Sequence, residues 1–161
     1  MSVEDTLASL GITLPTPGAP VAAYVPTVIT GSTLYVSGQL PIGMEPLPIG
    51  QLAAADHVDG AVPEGSRLAH AQAAARQCAI NLIAQAKIAT GDLERIARVV
   101  KLTGFVNSDA SFQQQHLVVN GASQLLLDAF GDKGKHARSA VGVAALPFGV
   151  IVEVEGIFEI A

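Results

Sequence analysis

The sequence predicts an α+β fold in which two helices cover one face of a mainly antiparallel sheet. Three observations predict it. Runs rich in Val, Ile, Thr and Tyr alternate with two stretches of helical periodicity, in the order β-β-α-β-α-β-β. The 161 residues suit one domain with a real core, and no repeat, low-complexity segment or linker divides them. Half the residues are hydrophobic and 14% are charged. With a mean hydropathy of +0.44, some apolar surface must be hidden in a membrane or against a partner subunit.

The chain opens with a short amphipathic segment, Val3 to Leu10, which Gly11 ends. The proline-rich TLPTPGAP that follows reads as an extended lead-in, completing an N-terminal extension over residues 1–20. Val21 to Thr30 and Thr33 to Leu40 are β-rich, and only Gly31-Ser32 separates them, a type II′ hairpin signal. Pro26 lies in the first run and marks an edge strand or a bulge. Residues 41–65 hold Pro41, Gly43, Pro46, Pro48, Gly50, Gly60, Pro63 and Gly65, the signature of a long loop. From Ser66, the residues Leu68, Ala71, Ala75, Cys78, Leu82 and Ala86 recur at helical spacing until Gly91. Residues 95–106 read as a strand, with Asn107-Ser108-Asp109 as the turn and cap before a second helix from about Ser111 to Phe130. That helix carries Phe112, Leu117, Val119, Leu125, Leu126 and Ala129 on or near one side, and GDKGK follows it as a loop. Two last β-rich runs, Ser139 to Leu146 and Val150 to Ile160, are joined by Pro147-Phe148-Gly149.

Composition removes several classes of function. No stretch approaches the roughly 20 uninterrupted apolar residues of a bilayer crossing. The acids in MSVEDTLASL stand where a signal peptide carries its basic region, so the expected location is the cytoplasm. The single Cys78 forms no internal disulfide and, on the packing face of a helix, reads as a small buried hydrophobe. A net charge of −5 disfavours sequence-independent binding to a phosphate backbone. His57, His70, His116 and His136 lack ligand spacing, and no glycine-rich phosphate loop occurs, so neither metal nor cofactor is expected. Homo-oligomerisation is left as the account of the low charge.

Two late positions carry chemistry. In His136-Ala-Arg-Ser-Ala-Val, Arg138 opens a strand just after a loop, and its rigid fork of donors suits a small carboxylate. The plainer reading is a surface arginine paired with a nearby acid. In Val150 to Ile160, Glu153 and Glu155 project from one face and Val152, Val154 and Phe158 from the other. The glutamates mark either a solvated face or a carboxylate that activates water in a cleft beside Arg138.

An ordered set of residues then resembles one family. The set runs through Tyr24-Val25, Ser37-Gly38-Gln39-Leu40-Pro41, Ala75-Arg76-Gln77-Cys78 with Asn81, Gly91-Asp92, Asn120, Ala137-Arg138-Ser139 and Val152-Glu153-Val154-Glu155-Gly156-Ile157. Over roughly residues 21–158 it is similar to the RidA/YjgF/YER057c/UK114 proteins, also labelled endoribonuclease L-PSP. The resemblance implies a chorismate-mutase-like fold, a homotrimer with three ligand clefts between subunits, and hydrolysis of 2-imino acids such as 2-aminoacrylate to 2-oxo acids and ammonia. It makes Arg138 the carboxylate-binding residue and Glu153 the one that positions water. Tyr24, Ser37, Gly38 and Asn120 match other cleft positions, and Ala140 replaces a frequent cysteine at a place that contributes its backbone carbonyl. The N-terminal extension and the enlarged 41–65 loop resemble a longer subgroup. A carboxylate-binding trimer without turnover is the alternative function. RNA cleavage or inhibition of translation, which the family's other label implies, lacks a basic stripe with interleaved aromatics.

Overall fold

A computed structural model describes residues 1–18 and 22–161. The Val21 start of the first expected strand and the last two residues of the lead-in lie outside the described residues. The elements are α1 (Val3–Ser9), β1 (Thr27–Thr30), β2 (Thr33–Gln39), α2 (Arg67–Thr90), β3 (Ile96–Asn107), α3 (Gln115–Phe130), β4 (Ala137–Val143) and β5 (Val152–Ile160). The sheet order is β1-β2-β5-β3-β4. The β3–β4 pair is parallel, with α3 as its crossover, and the other pairs are antiparallel. The expected fold class therefore stands.

Local chemistry sets these boundaries. In the β1–β2 hairpin, Thr30 pairs with Thr33 and Gly31 has φ 56°, while Ser32 keeps a negative φ, as a type II′ turn requires. Strand β1 starts only after Pro26 and lies at a sheet edge, where a proline costs no ladder hydrogen bond. Helix α1 opens on a reciprocal Ser2–Asp5 capping box. Ser66 caps α2, and Gly91 ends it in the left-handed conformation. Helix α3 begins later than Ser111, because Asp109 accepts the Ser111 N–H at 2.8 Å and so folds residues 109–112 into a turn instead of a first helical coil. Strand β4 starts earlier than expected and stops at Val143, where its pairing with Asn107 ends.

The core lies between the sheet and the helix pair α2/α3. Leu34, Val36, Leu102, Val106, Val152, Val154 and Phe158 point into it and meet Ala71, Ala75, Cys78, Leu82 and Ala86 of α2, all buried. The opposite sheet face has no helix over it, and Val28, Tyr35 and Val141 are exposed there, with Phe105 and Ile157 half-buried. Part of the sequence's hydropathy surplus sits on this uncovered face, and Ile42, Ile49, Ile88 and Phe148 are exposed elsewhere. Among the described residues, no helix is long and apolar enough to cross a membrane.

The 41–65 loop, irregular apart from a short turn at Ala54–Asp56, is sewn to the end of the sheet. Gly50 N–H donates to Gly149 and Ile151 N–H to Pro48, while Leu52 exchanges bonds with Asn107 and Asp109. Leu52 is fully buried, and Gln114 bonds both backbone groups of Val58. With its backbone groups paired in this way, the loop is part of the wall and not a free lid.

Candidate active site

Register decides which face each candidate residue uses. Arg138 aligns with the buried Leu102, so it projects to the helix side of β4. Its Nη1 donates to Asn120 Oδ1 at 2.8 Å and to Ser123 Oγ at 3.1 Å, both on α3. The guanidinium is held from one edge, and its remaining donors have no partner among the described residues. Ala140, on the same side of β4, packs half-buried against the core. Around Arg138 a groove of about 890 Å³ runs between α2, α3 and residues 135–138, lined also by Gln72, Arg76, Asp128 and His136.

Glu153 aligns with Phe105, so it projects from the face that carries no helices. It is half-buried, and burial, reinforced by the charge of Glu155, holds its carboxyl above the usual range. Beneath it the register of β2 shifts between Val36 and Gln39, placing Ser37 and Gly38 in an irregular step. Glu153 crosses the Gly38 backbone so closely that a Cβ there would collide with Glu153 Oε1. Ser37 secures the incoming chain, its Oγ donating to Val25 O at 2.9 Å and its N–H to Pro26 O at 2.9 Å. Tyr24 is exposed beside it and shares with Gly38 the lining of a cavity of about 360 Å³.

The candidate residues thus form two half-sites. Arg138, Asn120 and Ala140 lie on the helix side of the sheet and Glu153 lies on the other over Gly38, while Ser37 and Tyr24 border the β2 step, Tyr24 in a cavity that also reaches Asn81 and Gln85 of α2. β3 separates β4 from β5, adding about 10 Å sideways to the difference in face. Within one chain, no small ligand spans both halves. Ser123 and His136 were not assigned to the site by the sequence reading, although Ser123 follows Asn120 by three residues and so shares its helix face. Cys78 is buried beneath β5, its thiol pushed well up by desolvation and then by the charge of Glu153. No group of three His, Cys, Asp or Glu among the described residues could hold a metal ion.

Comparison with known proteins now places the chain. Residues 4–159 match the family model described as "YjgF/chorismate mutase-like, putative endoribonuclease". The chain belongs to the YjgF family. Protein TCP17 of Trypanosoma cruzi is 49% identical over 160 residues, covering 98% of this chain and 94% of that protein. The crystal structure of Atu1372 from Agrobacterium tumefaciens, described as of unknown function, is similar with a TM-score of 0.83 and 48% identity, covering 99% of this chain and 92% of that one. RidA from an Antarctic Psychrobacter is similar with a TM-score of 0.57 and 29% identity, covering 90% of this chain and 94% of that one. The arrangement of helices and sheet is thus the YjgF fold.

The Gly38 contact makes a prediction. In Gly38→Ala the added methyl meets only the flexible end of Glu153, so melting temperature is expected to change by no more than a few degrees while Glu153 is displaced. Turnover or ligand affinity that depends on Glu153 should fall ~10-fold or more. Calorimetry alongside a ligand titration checks both halves, and a large drop in melting temperature would contradict the expectation.

Proposed function

We propose that the protein is a cytoplasmic enamine/imine deaminase that hydrolyses small 2-imino acids to 2-oxo acids and ammonia. It works as a homotrimer whose clefts join Arg138 and Asn120 of one copy to Glu153, Gly38, Ser37 and Tyr24 of the next. The observation that carries this reading is the pre-oriented guanidinium of Arg138, tied at Nη1 to Asn120 and Ser123 with its other donors free toward an open groove. Those donors suit a carboxylate in two parallel hydrogen bonds. The resemblance to RidA points the same way, and the uncovered apolar sheet face supplies the surface an oligomer needs.

The chemistry follows from the two groups. With the substrate carboxylate on Arg138, a water attacks the C=N carbon and gives a proton to Glu153 as the C=N electrons move onto nitrogen, which takes that proton from Glu153 to complete the carbinolamine. The carbinolamine hydroxyl then passes its proton through Glu153 to the amine, the C–N bond breaks, and ammonia leaves as the C=O bond forms. A carboxyl held above its usual range is a better base for the first step than an ordinary glutamate. Neither step calls on a metal or a redox group.

The test generates 2-aminoacrylate with a dehydratase and follows 2-oxo acid release. Removing two charge-assisted hydrogen bonds of about 1.5 kcal/mol or more each predicts a fall of at least ~100-fold in acceleration for Arg138→Ala. Unchanged acceleration in that variant would overturn the assignment. Saturable, Arg138-dependent binding of a 2-oxo acid without acceleration would instead establish a binding module.

A further inference from the structure

Ser123, which helps to orient Arg138, also sits in a directed chain of hydrogen bonds whose serine–histidine link imine hydrolysis does not use. His136 Nδ1 lies 2.7 Å from Gly134 O. A carbonyl oxygen only accepts, so Nδ1 carries the hydrogen, and the neutral ring presents the lone pair of Nε2. Ser123 Oγ lies 3.0 Å from that nitrogen, so the serine hydroxyl donates to it. Arg138 Nη1 donates to the same oxygen from the other side. Every link has one direction: arginine to serine, serine to histidine, histidine to backbone carbonyl.

This is the connectivity of an activated serine, with a nucleophile, a base on its hydroxyl and an acceptor that fixes the base's tautomer. Here a backbone carbonyl takes the place often filled by a carboxylate. That carbonyl is rigidly placed, since Gly134 is buried and its Cα packs directly on the Leu126 carbonyl of α3, where no side chain fits. Burial holds the imidazole below its ordinary pKa, opposed by the Gly134 hydrogen bond and aided by the charge of Arg138, which favours the free base near neutrality. Ser123, His136 and Arg138 all line the large groove. Asn120 turns its Oδ1 to Arg138, which leaves its NH2 without a partner among the described residues and available to a developing oxyanion. The groove also holds Arg76 beside Arg138 against the carboxylate of Asp128, while Lys135 at its rim is paired with Asp132 at 2.7 Å, so its net field favours an anion.

We propose that Ser123 is a nucleophile activated by His136, and that this groove hydrolyses esters or amides whose acyl part carries a carboxylate. Ser123 Oγ bonds to the carbonyl carbon as its proton passes to His136 Nε2, and the C=O electrons move onto oxygen. The tetrahedral species collapses, the bond to the alcohol or amine breaks, and the leaving group takes the proton from His136. Water then attacks the acyl-serine with His136 again as base. The acid departs and Ser123 recovers its proton.

The test uses the full-length protein and two probes, a fluorophosphonate and the mono-p-nitrophenyl ester of a dicarboxylic acid. One covalent phosphonyl adduct is expected, mapped by peptide mass to Ser123, together with hydrolysis of the anionic ester in preference to p-nitrophenyl acetate. Ser123→Ala should lose both. His136→Gln should hydrolyse the ester at least ~100-fold more slowly. In the wild type the rate should be flat near neutrality and fall only below the ordinary histidine value of about 6.5, because burial and the Arg138 charge outweigh the Gly134 hydrogen bond that favours protonation; the groove's other charges are Arg76, Asp128 and Lys135, the last paired with Asp132. Ser123→Cys, close in size, should take a thiol-directed reagent at position 123 that the buried Cys78 does not. No adduct, an adduct elsewhere, or ester hydrolysis that survives Ser123→Ala in a folded protein would overturn the proposal. This inference stands apart from imine hydrolysis. A protein that deaminates but takes no label refutes only this one, and a labelled esterase that does not deaminate refutes only the other.

Discussion

Gly121→Ala is expected to lower stability by about 2–3 kcal/mol, although the same change in an open helix would raise it. Alanine is the better helix former by about 1 kcal/mol, and Gly121 lies inside α3. The opposing effect comes from the crossing with α2. A Cβ at position 121 would press into the carbonyl oxygen of Gln72, with the carbonyl carbon 2.9 Å away. No rotamer change relieves a clash with backbone, so the cost falls at or beyond the upper end of the usual ~1–3 kcal/mol of overpacking, leaving about 2–3 kcal/mol after the helix gain is subtracted. The Gln72 side chain is itself anchored, its Nε2 donating to Leu117 O at 2.8 Å on α3. The two helices must therefore separate along the length that floors the Arg138 groove. Thermal unfolding should show a drop of roughly 5–10 °C, and truncating the side chain in Gln72→Ala should not restore it. A melting point at or above that of the parent would show that the helices separate at little cost.

That crossing also shows what periodicity can and cannot disclose. The apolar positions of α2 were legible because a helix facing a sheet repeats its small residues every three or four positions, and Leu68, Ala71, Ala75, Cys78, Leu82 and Ala86 all lie in the core. The hairpin was legible because Gly-Ser between β runs has one favourable geometry. Strand partners were not, since a period of two reports that a strand has two faces but not which neighbour it joins. The chain's parallel β3–β4 pair, with β5 inserted between β2 and β3, follows from where the crossover helix packs. Loop 41–65 was legible as a long loop but its anchoring was not, because its hydrogen bonds run mostly backbone to backbone, to distant residues, such as Gly50 to Gly149. For the site, residue type revealed Arg138 and Glu153, whereas their separation onto opposite faces needed the register with Leu102 and Phe105. The link between Ser123 and His136 was hidden for a similar reason, because the turn at Gly131–Gly134 folds the chain back so that the two side chains meet.

The opposite placement of Arg138 and Glu153 yields the sharpest functional expectation. If one ligand needs both, two copies must supply them, and an inactive Arg138→Ala chain can be completed by an inactive Glu153→Gln chain. Each variant assembled alone should show almost no imine hydrolysis, because every cleft lacks the same group. When the two are co-expressed, or unfolded and reassembled together, the cleft that takes Arg138 from a Glu153→Gln chain and Glu153 from an Arg138→Ala chain is intact. Random pairing in a closed symmetric ring makes roughly a quarter of the clefts intact, far above the background of either variant. Glu153→Gln keeps the size of the side chain over Gly38 and removes an ionised group that burial disfavours, so this partner should fold at least as well as the parent at neutral pH. The sign follows from the raised carboxyl: the folded state binds the proton more tightly than the unfolded one, so the stability gained by the substitution is present above the folded value and fades as pH falls below it. Recovered activity that scales with the product of the two chain fractions identifies a cleft between copies. Activity that stays at background in a mixed assembly, shown to contain both chains by mass spectrometry, would place Arg138 and Glu153 in separate sites and leave the Arg138 groove to work without a carboxylate from a neighbour.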